Sequence, residues 1–251
     1  MKEQRDMQSC YDTHDLEAGC FSSWLRRIRY TLLKNGEAAV NCGQCSACCT
    51  SSYFIHIGPE ETDTLSRIDR RLLFPAPAQP RGTKVMGYSE SGRCPMHSGG
   101  RCTIYDNRPG ICRMYDCRIF TAAGIEAGGG DKALINEQVA RWRFSYPTGR
   151  DSELHRAVKA AAGFISRNRR CFPSGQIPDS PSQLAILALK VYEVFLGRGG
   201  GTERDDCEEY CIDTAGRILN ANEKFEALRE TLSQKPLPLH GGIKRRKLRR
   251  K

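Results

Sequence analysis

The chain has 251 residues, 13 of them cysteine, with 39 Lys+Arg against 29 Asp+Glu and a formal net charge of +10. That length can bury a core without disulfide staples, a hydrophobic content of 39% excludes a largely disordered chain, and the odd cysteine count excludes complete pairing within one chain. The longest apolar stretch, Leu184 to Leu189, is far too short to span a membrane, and the N-terminal residues lack the apolar stretch of a signal peptide. The expected setting is therefore the cytoplasm, where thiols stay reduced and clustered cysteines hold metal more often than they form disulfides.

In chain order, residues 1–20 are polar and read as loose. Ser22 or Ser23 caps a predicted helix running to about Asn35-Gly36, with Trp24 or Leu25, Ile28 and Leu32 on one face and Arg26, Arg27 and Arg29 on a solvated one. Ser52 to Ile57 is β-rich and predicts a short strand. Pro59 to Ile68 predicts a helix with Pro in its first turn, and Phe74 to Gly82, with three prolines, a loop. Helix signals dominate after Gly128. Asp131 opens a predicted helix to about Ser145, stopped by Pro147. Asp151 or Ser152 opens another, with Leu154, Val158, Ala161 and Ile165 at helical spacing. Ser180-Pro181 opens a third that ends at Gly197. Asp213 or Thr214 opens a fourth, with Ile218, Phe225, Leu228 and Leu232 on its stripe. These stripes are helix-packing surfaces rather than cofactor contacts.

The chemistry sits in residues 42–117. Cys42-Gly-Gln-Cys45-Ser-Ala-Cys48-Cys49 forms a first box, and Cys94, Cys102, Cys112 and Cys117 form a second. Two residues between cysteines let a tight turn aim both sulfurs at one ion, and tetrahedral zinc or an iron–sulfur cluster takes four thiolates. The adjacent pair Cys48-Cys49 is awkward for a single ion and better suits two ions, or two atoms of one cluster. Eight thiolates fit two four-ligand sites or one multinuclear centre. His97, three residues after Cys94, is a candidate extra ligand. Arg108 and Arg113 would offset thiolate charge or else pair with Asp106 and Asp116. Tyr105 reads as packing, with a proton-donor role as the sharper alternative. Cys207 and Cys211 lack the third cysteine of a radical-SAM spacing. Cys10, Cys20 and Cys171 stand alone.

The pattern CxxCxxCC, followed by Cys94 and then Cys102-x-Ile104-Tyr105-x-x-Arg108-Pro109-x-x-Cys112-Arg113-x-x-x-Cys117, resembles the YkgJ-like cysteine-cluster family of zinc- or iron-chelating proteins. The resemblance covers about a third of the chain and departs from the family after Cys94, where Pro-Met-His-Ser-Gly-Gly stands. It implies metal binding through the eight cysteines. A more distant similarity to flagellin lysine-N-methylase implies that some members support methyl transfer or other enzyme chemistry.

The expected architecture is mainly α, with a small, irregular cysteine-rich metal-binding core and few short strands. Its expected segments are a flexible N-terminus (1–20), a cysteine-cluster domain (21–120), a helical region packed on it (121–235), and a linker and basic tail (236–251). The tail, residues 244–251, holds 7 basic and no acidic side chains. It is a candidate contact for nucleic acid or anionic membrane, although no aromatic residue is interleaved there to stack a base. The expected function is an iron or iron–sulfur enzyme or redox accessory protein, leaning to metal-dependent oxidoreductase or methyl-transfer chemistry on an unknown small-molecule or protein substrate, with no catalytic residue assigned. The alternative is a zinc-stapled, non-enzymatic binding module that contacts nucleic acid or anionic surfaces through its basic tail.

Overall fold

A computed structural model describes residues 15–197 and 208–234, apart from 35, 39, 41–44 and 78. Its architecture is mainly helical, with few and short strands, as the sequence predicts. The elements are β1 (Leu16–Cys20), α1 (Phe21–Lys34), β2 (Ile55–Ile57), α2 (Thr62–Ser66), β3 (Leu73–Pro75), β4 (Lys84–Met86), β5 (His97–Ser98), β6 (Arg101–Cys102), α3 (Gly110–Met114), α4 (Arg118–Ala123), α5 (Ala133–Arg141), β7 (Trp142–Ser145), α6 (Gly149–Arg167), α7 (Pro181–Val191) and α8 (Glu208–Gln234). No helix among the described residues is long and apolar enough to cross a membrane.

The main core is built on α6. Its predicted stripe, Leu154, Val158, Ala161 and Ile165, is buried, and Ala157, Ala162 and Phe164 widen it. Ala161 and Ala162 of α6 and Ala185 and Ala188 of α7 are fully buried, and the two helices pack together. α4 and α1 pack on the same body, and α8 covers α1 and α7. Each fully buried Phe or Ile here contributes about 1.5–3 kcal/mol. Phe21, Phe120 and Phe164 are among the largest of them.

Several boundaries differ from the sequence reading, each for a local reason. Leu16–Cys20 is a strand, paired in parallel with β7. β7 itself was expected as the end of a helix, but Trp142 and Phe144 are buried while Arg143 and Ser145 are exposed, the period of a strand. A register shift between Glu17 and Gly19 accommodates Gly19 at φ +90°. α6 starts two residues early because Thr148 and Asp151 form a capping box. The Asp151 carboxylate also accepts from Ser22 N (2.9 Å) and the Cys20 thiol (3.1 Å), tying the starts of α1 and α6 together. These donors hold its carboxyl well below the usual carboxylate range, Thr148 foremost. α8 begins at Glu208, ahead of the expected Asp213 or Thr214, and Leu228 on its expected stripe is exposed. Arg29 is not on a solvated face. It lies between the rings of Tyr192 (4.9 Å) and Phe225 (5.4 Å) and pairs with Glu193 at 3.1 Å.

Residues 45–117 are organised differently. Their core is only Ile57, Ile68 and Met86, flanked by half-buried side chains that include Cys94, Met96 and Ile104. A three-stranded antiparallel sheet, ordered β2-β4-β3, supports it. Phe74 and Pro75, expected in a loop, belong to β3 at the sheet edge, where a proline is tolerated. α2 is five residues long rather than spanning Pro59 to Ile68, because Gly58 and Glu60 are engaged in a turn that precedes it.

Candidate metal centre

The first box enters through a 3₁₀ turn, Ala47–Thr50, closed by Cys49 N on Ser46 O (2.9 Å) and by the Thr50 and Ser51 hydroxyls on backbone carbonyls. Two backbone bonds stitch it to the second box. Cys94 N donates to Cys49 O (2.7 Å), and Ser52 N donates to Gly92 O (3.0 Å). Ser52 sits at φ +54° to make the second bond. Gly92, at φ +75°, leaves no room for a side chain: a Cβ there would lie 2.5 Å from Ser52 Oγ. Lys132 Nζ caps Ser51 O from the helical body and lies 4.3 Å above the Tyr53 ring.

Cys102 is carried by the hairpin β5–β6. Cys112 is carried by α3, whose entry is fixed by Pro109 and by Glu61. One oxygen of Glu61 accepts from Gly58 N (2.9 Å) and the other from Gly110 N (2.5 Å), clamping the Cys112 turn to the start of α2. Arg113 reaches Glu37 (3.1 Å) and Glu61 (3.8 Å), and it donates to Arg108 O. Arg113 is thus a brace, and Asp116 is not its partner. Asp116 instead binds Arg118 (2.7 Å) and accepts from Trp24 Nε1 (2.9 Å), both inside the main core. Arg108 lies 4.1 Å over the exposed Tyr105 ring. Asp106 is exposed.

The thiols of Cys49, Cys94, Cys102 and Cys112 lie within reach of one another's charge. Burial pushes the Cys112 thiol up to about 12, and repulsion from Cys94, Cys49 and Cys102 adds to it, while Arg108 opposes. Burial also raises Cys94 and Cys102. The N–H groups of Met96 and His97 pull Cys94 back, and the Ile104 N–H and Arg108 do the same for Cys102. Cys49 is lowered to about 7 because the Cys48 thiol donates to it, against the effect of burial. Cys48 and Cys117 also lie near Tyr115, whose hydroxyl is raised by burial, by Tyr53 and by both sulfurs. Cys117 Sγ accepts from Trp142 Nε1 at 3.2 Å, linking the second box to β7. Cys45 is half-buried, and Cys42 lies outside the described residues, as do Cys10 and the basic tail.

Buried thiols that repel one another, held by backbone N–H groups aimed at sulfur, suit a cation: a bound metal deprotonates its thiols outright and removes that repulsion. By donor chemistry the residues fit zinc or iron. Among the described residues, no three or more His, Cys, Asp or Glu side chains are already closed into a cage that could hold an ion.

One comparison with known proteins gives a match. Residues 41–137 match the family model described as CxxCxxCC: Putative zinc- or iron-chelating domain. No curated protein and no solved structure matches the chain. The matched segment takes in both boxes and runs on through α4 into α5. Sequence reading missed three supports of it, Glu61, Gly92 and Trp142. None lies in a cysteine motif, and each acts across a distance in sequence that spacing cannot reveal. Two of the five remaining cysteines have partners elsewhere: Cys20 donates to Asp151, and Cys211 donates to Asn168 Oδ1 at 3.3 Å.

Proposed function

We propose that this protein binds zinc or iron through the thiolates of its CxxCxxCC domain, and that the metal supplies the folding energy of residues 45–117. The observation that carries this reading is the contrast between donors and core. Cys49, Cys94, Cys102 and Cys112 come from separate turns to one place, while the same segment buries only Ile57, Ile68 and Met86. Three such side chains do not offset the ordering of a segment this long. Metal–thiolate bonds do so in small domains, where binding free energy is folding free energy. Cys42, Cys45, Cys48 and Cys117 complete the eight-thiolate set. An adjacent pair such as Cys48 and Cys49 suits two metal positions, or two atoms of one cluster, better than a single ion.

A second reading, iron in a redox or methyl-transfer enzyme, is favoured by the number of thiolates and by the Trp142 N–H···S bond to Cys117, a type of contact that tunes reduction potential. The staple reading is preferred because the small core of residues 45–117 carries it directly.

The test is anaerobic purification of the full chain with metal analysis and a visible spectrum. Stoichiometric zinc in a colourless protein supports the staple. Iron with charge-transfer bands supports the redox reading. A metal-free yet folded and soluble protein overturns both. Cys45→Ser and Cys112→Ser each lower metal content and solubility together.

A further inference from the structure

The cysteine boxes leave one polar side chain near the centre unexplained. Both ring nitrogens of His97 are buried, and neither has a hydrogen-bond partner. Unpartnered buried nitrogens are costly, so something must satisfy them.

The backbone around His97 has the form of a metal-binding turn. His97 N donates to Cys94 O at 2.9 Å, closing Cys94-Pro95-Met96-His97 into a tight turn. The Cys94 sulfur accepts from the N–H groups of Met96 and His97. Ligands three residues apart on such a turn face one point, whether the second is Cys or His. The chain then reverses through Gly99 and Gly100, at φ +58° and +76°, the two positive values of a type I′ hairpin. Ser98 pairs with Arg101, and His97 pairs with Cys102. Thr103 N donates to Met96 O at 2.8 Å on the far side. His97 and Cys102 are therefore the non-hydrogen-bonded pair of an antiparallel ladder, the type that brings side chains closest on one face.

We propose that His97 is a metal ligand, giving one ring nitrogen to the ion held by Cys94 and Cys102, so that the centre mixes nitrogen with sulfur. This rests on the metal-binding reading of the cysteines. It adds that the Cys94-Pro-Met-His turn is a knuckle in its own right, with the hairpin delivering Cys102 as its third donor. Cys112 or Cys49 supplies a further sulfur.

Cobalt(II) titration of the full-length apoprotein under anaerobic conditions tests this, comparing wild type, His97→Leu and His97→Cys, with far-UV circular dichroism as the fold control. Wild type is expected to give thiolate charge-transfer bands and a tetrahedral d–d envelope. In His97→Leu, cobalt affinity should fall by at least about tenfold, the lower bound seen even for outer-sphere partners of metal ligands. In His97→Cys, affinity should be retained and the d–d envelope should move to longer wavelength as sulfur replaces nitrogen. Unchanged affinity and spectrum in a folded His97→Leu protein overturn the assignment while leaving the cysteine centre intact. Should His97→Leu not fold, an unshifted envelope in His97→Cys overturns it equally. Wild-type protein that takes up neither cobalt nor zinc overturns the metal-binding reading, and His97 with it.

Discussion

At the scale of single residues, two buried polar groups govern stability away from the cysteines. Asp116 stands next to Cys117 but points into the helical core, against Arg118 and Trp24. Removing one member of such a pair leaves the other charge buried without its counterpart, at a cost of about 3–5 kcal/mol. Asp116→Ala is expected to lose that much in urea unfolding, whereas Asp116→Leu with Arg118→Met recovers most of it. A single-variant loss below about 1 kcal/mol would show that the pair is effectively solvated. His155 is the second group. It stacks on Phe21 (4.3 Å) and Tyr146 (5.6 Å), and its Nδ1 meets the Tyr146 hydroxyl at 2.6 Å. Burial, with Lys159 adding to it, lowers its pKa from 6.5 to about 4. Between those values the unfolded chain binds a proton that the native chain does not, so stability rises with pH. The contribution is complete above about 6.5, is lost as pH falls to about 4, and amounts to at most about 3 kcal/mol. His155→Phe should flatten this part of the pH–stability profile. An unchanged slope between pH 6.5 and 4 would mean that other groups carry it.

At the scale of elements, the junction between the two cysteine boxes depends on backbone approach. Gly92→Ala would place a methyl group against Ser52 Oγ at a φ that only glycine adopts easily. It is expected to weaken zinc binding, measured by competition with a chromophoric chelator. Ser52→Ala in the same chain should restore part of the affinity, since removing Oγ relieves the clash but not the φ strain. Full affinity in Gly92→Ala alone would show that the Ser52–Gly92 bond does not position Cys49 against Cys94. This junction illustrates what could be read in advance. Helices with a strong apolar stripe were legible: α6 and α7 lie where Leu154, Val158, Ala161 and Ser180-Pro181 place them. The two cysteine boxes were legible by spacing, and the fold brings the thiols of Cys49, Cys94, Cys102 and Cys112 within reach of one another's charge. The parallel β1–β7 pair was not, because its partners are more than 100 residues apart and Trp142–Ser145 continues a helical run without a breaker. Glu61 was also hidden. In sequence it is an acid near a helix start, and only the fold brings Gly110 N to its carboxylate.

At the scale of the molecule, the two hydrophobic clusters differ so much in size that they should fail separately. The larger joins α1, α4, α6, α7 and α8 around Phe21, Phe120, Phe164 and Leu189, and none of its buried members belongs to the two cysteine boxes. The smaller holds three buried side chains and borrows Cys94 for its rim. From residues 45–117, Ala47, Cys48, Tyr53, Tyr115 and Cys117 pack against the larger cluster. If a metal staples residues 45–117 as proposed, a chelator that strips it removes most of what holds that segment and little of what holds the helices. The expected result is a chelated protein that keeps most of its far-UV helical signal but loses amide hydrogen-exchange protection between Ile55 and Cys112. Trp142 reports the step directly, because its indole N–H rests on Cys117 and the chain has only one other tryptophan. Its fluorescence in a Trp24→Phe background should change on chelation and return with zinc or iron. Simultaneous loss of the whole helical signal on chelation would mean instead that the metal centre and the helical core form one cooperative unit, joined through Asp116 and Cys117.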